Sequence, residues 1–166
     1  MSKPKTASKK YYFAYGSNCN LGQMAYRCPK AAAVGAVTLP GYTLVFNGVA
    51  SISRRNGGEV KGVLWEITPQ CERNLDLYEG FPSYYGKREV TVVDGDGREI
   101  KAMVYVMTPR YDRPALPSES YYNGIADGFE QNGIPTETLE AALEETYRIV
   151  NKPHRRMEVY EYATGL

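Results

Sequence analysis

Hydrophobic and polar positions fall into short alternating runs over the first two-thirds of the chain and into helical stripes over the last third. An aromatic run from Tyr11 to Ala14 precedes Tyr15-Gly16-Ser17-Asn18, so a strand leads into a sharp turn that glycine and asparagine adopt without strain. Leu21, Met24, Ala25 and Cys28 then recur at helical spacing, with Asn18 or Asn20 as the cap and Pro29 as the stop. Strand-like runs follow with turn residues between them: Ala33 to Leu39 before Pro40-Gly41, Tyr42 to Phe46 before Asn47-Gly48, and Ala50 to Arg54 before Asn56-Gly57-Gly58. They predict consecutive antiparallel strands. From Glu59 to Ile67 the alternation of Val63, Trp65 and Ile67 with Leu64 and Glu66 gives another strand.

The period then changes. Thr68-Pro69 is a cap followed by proline at the first helical position, and Cys71, Leu75 and Tyr78 share a helical face before Gly80 ends the helix. That helix delivers Glu79 at its C-terminal end. Tyr85 to Val93 and Arg98 to Met107 flank Asp94-Gly95-Asp96-Gly97, the clearest hairpin in the chain. A proline-rich connection from Arg110 to Pro117 leads into a helix starting at Ser118 or Ser120 and running through Tyr121, Ile125 and Phe129 to Asn132-Gly133. The stretch from Arg110 to Ser120 is the expected lid. A last helix begins at Pro135 with Thr136 as its cap. Leu139, Ala142, Leu143, Tyr147 and Val150 form its buried stripe, and Asn151 with Pro153 close it. Arg155 to Tyr162 alternates as a final strand. Strands first and helices last predict an α+β fold, an antiparallel or mixed β-barrel-like sheet with packed helices, in preference to a doubly wound parallel sheet.

The 166 residues suit one core, so residues 11–166 are expected to form a single domain behind a disordered basic tail, residues 1–10, with four lysines. A formal net charge of +1 gives no field that recruits nucleic acid or a membrane surface, and no apolar run is long enough to span a bilayer. Fifteen tyrosines fall at core spacings and not as stacking platforms for RNA. Cys19, Cys28 and Cys71 form no paired framework and no C-x-x-C spacing, and His154 is the single histidine, so no metal site is expected. The thiols are read as reduced, the N-terminus as lacking a secretory signal, and the protein as cytoplasmic. Asp94 and Asp96 are turn residues, because no later glutamate completes a calcium loop.

Nucleophile sets fare poorly. Ser17 follows a strand, but Tyr15-Gly16-Ser17-Asn18 lacks the G-x-S-x-G pattern, and no phosphate-loop glycine pattern is present. Two features remain. The strand-turn-helix junction at Tyr15 to Asn18 aims backbone N–H groups at a helix N-terminus, an arrangement that suits a carboxylate or oxyanion and equally describes a tight turn with a capping asparagine. Glu79 lies among apolar and phenolic residues from Leu75 to Tyr85. Buried there it has a raised pKa and serves as general base and then general acid; exposed, it is an ordinary helix-end carboxylate.

Tyr12-Phe13-Ala14-Tyr15-Gly16-Ser17-Asn18 resembles the signature loop of the γ-glutamylcyclotransferase-like family, the AIG2-like and BtrG-like superfamily. Further segments agree in order: Met24 with Arg27-Cys28-Pro29, Gly62-Val63-Leu64-Trp65, Leu75-Asp76 with Glu79-Gly80, and Pro117 to Pro135. The resemblance spans most of Tyr12 to Val150. It implies a compact barrel in which the loop Tyr12, Phe13, Ala14, Tyr15, Gly16, Ser17 and Asn18 holds a γ-glutamyl group, Glu79 carries protons, and Tyr85 and Tyr121 line the cavity, with Tyr84 able to exchange roles with Tyr85. Cys19 stands where an aliphatic residue is usual.

The implied reaction is attack of the substrate's own α-amine on its γ-carbonyl, releasing 5-oxoproline and an amine or amino acid, with no cofactor. The expected partner is a small γ-glutamyl substrate, with no nucleic acid and no membrane, and with monomer and homodimer both open. A non-catalytic module binding a γ-glutamyl-like or acidic metabolite is the alternative. Retention of Glu79 beside the loop favours the enzyme.

Overall fold

The computed structural model describes the backbone of residues 9–163 and the side chains of residues 9–152. Its centre is a closed five-stranded barrel in the order β1-β3-β2-β4-β5, formed by β1 (Lys10–Ala14), β2 (Ala32–Asn47), β3 (Val49–Ile67), β4 (Tyr85–Val93) and β5 (Glu99–Met107). Neighbouring pairs are antiparallel except β1 and β5, which close the barrel in parallel at Tyr12 and Met103. Four helices pack around it: α1 (Leu21–Arg27), α2 (Pro69–Glu79), α3 (Glu119–Gln131) and α4 (Glu137–Ala163). The mixed barrel with packed helices is the fold class expected from the order of strand and helix patterns.

The four short strands expected between Ala33 and Ile67 are instead two long bent ones. Only Asn47-Gly48 turns the chain; Pro40-Gly41 and Asn56-Gly57-Gly58 lie opposite each other inside the β2–β3 ladder, whose register jumps from Pro40–Glu59 to Tyr42–Arg54. Gly41 and Gly57 have φ of 82° and 75°, so their left-handed backbone makes an irregularity that bends the pair without ending it. A bent hairpin is what lets two strands wrap a narrow barrel.

The caps of the next segment follow its residues closely. The Thr68 hydroxyl accepts from the Cys71 N–H, Pro69 opens α2, and Gly80 terminates it in the left-handed region. The β4–β5 turn is held by Asp94, whose carboxylate accepts from the N–H groups of Asp96 and Arg98. Asn20 caps α1 and Ser118 caps α3, resolving both choices left open by spacing.

Helix α4 departs from expectation in three ways. Its buried face is Leu139, Ala142 and Thr146, while Tyr147 and Val150 are exposed. The helix does not stop at Asn151-Lys152-Pro153, and residues 155–162 are helical, not a strand. A proline removes one intrahelical hydrogen bond but need not end a helix, and the alternation of so short a segment competes with helix-forming Glu, Arg and Met. Of the expected basic tail, residues 1–8 lie outside the described residues, whereas Lys10 opens β1 and pairs with Glu72.

The connection expected as a lid is stitched down. The Gly48 N–H donates to the Ala115 carbonyl at 2.8 Å, the Ala115 N–H to that of Phe46 at 3.2 Å, and the Asn47 amide to Asp112 at 2.8 Å. These bonds anchor residues 112–115 to the β2–β3 turn.

Candidate active site

At one end of the barrel a cavity of about 180 Å³ is lined by the start of β3, the end of α2, the turn after β1, and side chains from β1, β4, β5 and α3. The turn is a single 3₁₀ turn, Ser17–Cys19, pinned from behind by α3: the Asn132 amide donates to the Cys19 carbonyl, and that of Asn20 to the Gly124 carbonyl, each at 3.0 Å. Only glycine fits at 128, since a Cβ there would lie 2.6 Å from Cys19 and Asn20 backbone atoms. The Cys19 thiol is buried beneath the turn and donates to the Ala14 carbonyl at 3.1 Å, so it fills the space where an aliphatic residue was expected. Burial pushes its pKa up to about 12, which leaves it an unreactive thiol.

Glu79 ends α2, where the helix C-terminus offers no N–H donors to a carboxylate. No hydrogen bond to its carboxylate is made among the described residues. Burial raises its pKa to about 7, against the opposing pull of Arg27, so at neutral pH it is divided between acid and base forms. Around it stand Tyr12, Tyr15, Tyr78, Tyr84, Tyr85, Tyr105 and Tyr121. Burial, reinforced by the charge of Glu79, drives the hydroxyls of Tyr12 and Tyr15 above the ordinary phenol value; burial does the same for Tyr85, Tyr105 and Tyr121. These phenols stay neutral wherever Glu79 titrates.

Most of these phenols are held by a hydrogen bond. The Tyr15 hydroxyl donates to the Tyr105 carbonyl at 2.6 Å, and that of Tyr105 to Asp76 at 2.6 Å. Ala50 is a hinge point: its carbonyl accepts from the Tyr85 hydroxyl at 2.7 Å, and its N–H donates to the Tyr121 hydroxyl oxygen at 2.9 Å. Tyr84 packs edge-on against Tyr85 and Tyr111, with ring centroids 5.1 and 4.7 Å apart. Ser17 and Tyr78 meet hydroxyl to hydroxyl at 3.2 Å, joining the turn to α2.

Among the residues singled out from the sequence, Tyr12, Tyr15, Gly16, Ser17, Asn18, Glu79, Tyr85 and Tyr121 converge on this cavity, and Tyr84 lines it together with Tyr85. Phe13 and Ala14 do not line it: both are buried in the core, because strand alternation sends Phe13 to the opposite side from Tyr12 and Ala14 lies under the turn. Sequence reading passed over Val49, Ala50, Tyr78 and Tyr105, which complete the wall. Tyr105 had a signal in the alternation of β5, but which strand end meets the turn depends on barrel closure. Val49 and Ala50 reach the cavity because the chain turns at Gly48 and not at the neighbouring glycines.

The closed barrel thus holds one largely buried carboxyl group in a small cavity walled by phenols and the peptide groups of the turn. The family model described as gamma-glutamyl cyclotransferase, AIG2-like, matches residues 12–123. Human gamma-glutamylcyclotransferase is 34% identical over 142 residues, covering 78% of this chain and 74% of the human one; the bovine protein of that name is 34% identical over 139 residues, covering 76% and 73%. A solved structure titled gamma-glutamyl cyclotransferase superposes with a TM-score of 0.75 at 30% identity, covering 87% of this chain and 99% of its own. The chain belongs to the gamma-glutamyl cyclotransferase, AIG2-like family and is an enzyme of that type.

Proposed function

We propose that this enzyme closes γ-glutamyl compounds to 5-oxoproline, with Glu79 as the group that moves the proton. The α-amine nitrogen of the substrate attacks its γ-carbonyl carbon, a five-membered ring forms, and the bond from that carbon to the departing nitrogen breaks. The amine arrives as an ammonium and must lose a proton to attack; the departing nitrogen must gain one to leave. The attacking nitrogen sheds a second proton as the ring closes, so one carboxyl group takes a proton from that nitrogen and delivers it to the departing one, while the other proton passes to solvent. The observation that carries this reading is the Glu79 carboxyl, withdrawn into the cavity that Tyr12 and the Tyr15 to Asn18 turn also line and given no hydrogen bond among the described residues, a setting that raises its pKa.

The turn from Tyr15 to Asn18 presents peptide groups to the same space and holds the glutamyl chain folded, which supplies most of the proximity that ring closure needs. Tyr85 and Tyr121, locked onto Ala50, shape the opposite wall. The three cysteines are unpaired and buried, which fits a reducing, cytoplasmic setting.

The test is 5-oxoproline release from a panel of γ-glutamyl amino acids, γ-glutamyl amines and glutathione, with Glu79→Gln alongside. Release that falls by about two to four orders of magnitude in the variant is expected, the usual worth of a positioned acid–base group. Near-normal turnover by the variant would remove Glu79 from the mechanism.

A further inference from the structure

Arg27 lies behind the wall of the cavity and does not line it. Its Nη1 donates to the side-chain oxygen of Asn18 at 2.6 Å and to that of Gln23 at 3.0 Å, and its guanidinium carbon sits 3.7 Å above the Tyr78 ring. The Arg27 carbonyl accepts from the Asn74 amide at 3.1 Å, so the end of α1 is tied to α2 as well as to the turn. Asn18 is almost wholly buried, and its Nδ2 donates to the hydroxyl oxygen of Tyr12 at 3.1 Å.

The polarity of this chain is forced. A guanidinium has donors only, so the Asn18 atom facing it must be Oδ1. Nδ2 therefore faces Tyr12, whose oxygen must accept, and the phenolic proton is left over. Among the described residues that proton has no acceptor, and Tyr12 lines the cavity. We propose that Arg27 and Asn18 are positioning residues that fix the direction of the Tyr12 hydroxyl, so that Tyr12 donates its hydrogen bond into the cavity to an oxygen of the γ-glutamyl group. The proposal rests on the γ-glutamyl reading above and adds a named donor to it. A donor fixed before the substrate arrives needs no reorientation as charge develops on that oxygen.

Asn18→Asp separates this role from a merely structural one. The carboxylate it introduces keeps the contact with Arg27, and a charged pair there is at least as strong as the original bond. Its second oxygen is an acceptor facing Tyr12, which must turn its proton away from the cavity. Rates are compared on the plateau of the pH profile, because the added charge also pushes the Glu79 acid upward. Asn18→Asp is expected to lose kcat/KM by about a hundredfold, as is Tyr12→Phe, the scale of removing one preorganised donor. The double variant should be no worse than either alone, and the Asn18→Asp melting temperature should be no lower than that of the parent.

Arg27→Lys, which keeps a donor on Asn18, should retain far more activity than Arg27→Met. Wild-type rates in Asn18→Asp, or losses that multiply in the double variant, would overturn the relay. Glu79→Gln run beside them keeps the two readings apart: retained turnover in that variant overturns the proton-transfer role of Glu79 alone, whereas its loss with wild-type rates in Asn18→Asp and Tyr12→Phe overturns the relay alone.

Discussion

Helix α2 carries two kinds of carboxylate. Glu72, Asp76 and Glu79 recur at the spacing of one helical face, yet their surroundings differ completely. Glu72 and Asp76 are answered by Lys87, whose ammonium lies 2.7 Å from Glu72 and 2.8 Å from Asp76; Lys10 also pairs with Glu72, and Tyr105 donates to Asp76. Burial pulls Glu72 upward, but the hydrogen bonds from Lys10 and Lys87 outweigh it and leave its pKa below the usual value. Glu79, one turn further on, is withdrawn from solvent with no hydrogen-bonded cation among the described residues, and its pKa goes the other way. The same kind of side chain is a structural clamp where its charge is matched and, in the function proposed here, a proton carrier where it is not.

The contrast can be broken from either side. The largest effect should come from Glu79→Gln, which keeps the shape and removes the proton, as measured by 5-oxoproline release. The same substitution should stabilise the fold at high pH. Because the folded protein holds this proton to about pH 7 and an ordinary glutamate releases it near 4.5, stability falls as pH rises between those values and the penalty is complete above them. Each pKa unit is worth about 1.4 kcal/mol, so denaturant titration at pH 8 should show a gain of up to about 3 kcal/mol in the variant, and at pH 4 almost none.

Lys87→Met tests the other side. It takes the shared cation from two partly buried carboxylates, leaving Glu72 with Lys10 and Asp76 with Tyr105, so it should cost about 1–2 kcal/mol of stability by chemical denaturation while leaving far more activity than Glu79→Gln. A variant that lost turnover without losing stability would mean that the clamp takes part in catalysis.

Smallest of the four is the effect of Arg27→Met on the acid limb. Arg27 is the cation that holds Glu79 down; the other groups around Glu79 in the cavity are the phenols of Tyr12, Tyr15, Tyr78, Tyr84, Tyr85, Tyr105 and Tyr121. Removing Arg27 should move the rising limb of kcat/KM to higher pH, by about half a unit to one unit for the loss of one nearby charge. A limb that stays in place or moves down would show that Arg27 does not act on this acid.

This difference between carboxylates was only partly legible in the sequence. The cap at Thr68-Pro69, the stop at Gly80 and the Asp94 to Gly97 turn are local signals, and each held because its physics lies within a few residues. The position of Glu79 at the end of a helix followed from them. What could not be read was which carboxylate meets a lysine, since Lys87 reaches α2 from β4 only after the barrel has closed.

Glycine signals misled for a related reason. Gly41, Gly48 and Gly57 all adopt positive φ, but only Gly48 reverses the chain, because the strands flanking the other two continue to pair across them. Ala50 was missed in the site because it carries no reactive chemistry of its own, and Tyr105 because barrel closure decides which end of β5 meets the turn. Their part is to orient Tyr15, Tyr85 and Tyr121 through backbone atoms that any residue possesses. Phe13 and Ala14 entered the expected site through the resemblance of the 12–18 loop, and their side chains are buried in the core away from the cavity wall.

The most direct test of the contrast is an isotope-edited infrared titration of the Glu79 carboxyl, assigned by its disappearance in Glu79→Gln and followed in the substrate-free enzyme. The account predicts that the neutral-acid band persists through pH 6 and fades around pH 7. A band already lost near pH 4.5 would place an ordinary, solvated carboxylate at the end of α2 and contradict the proposal that burial makes Glu79 the proton carrier.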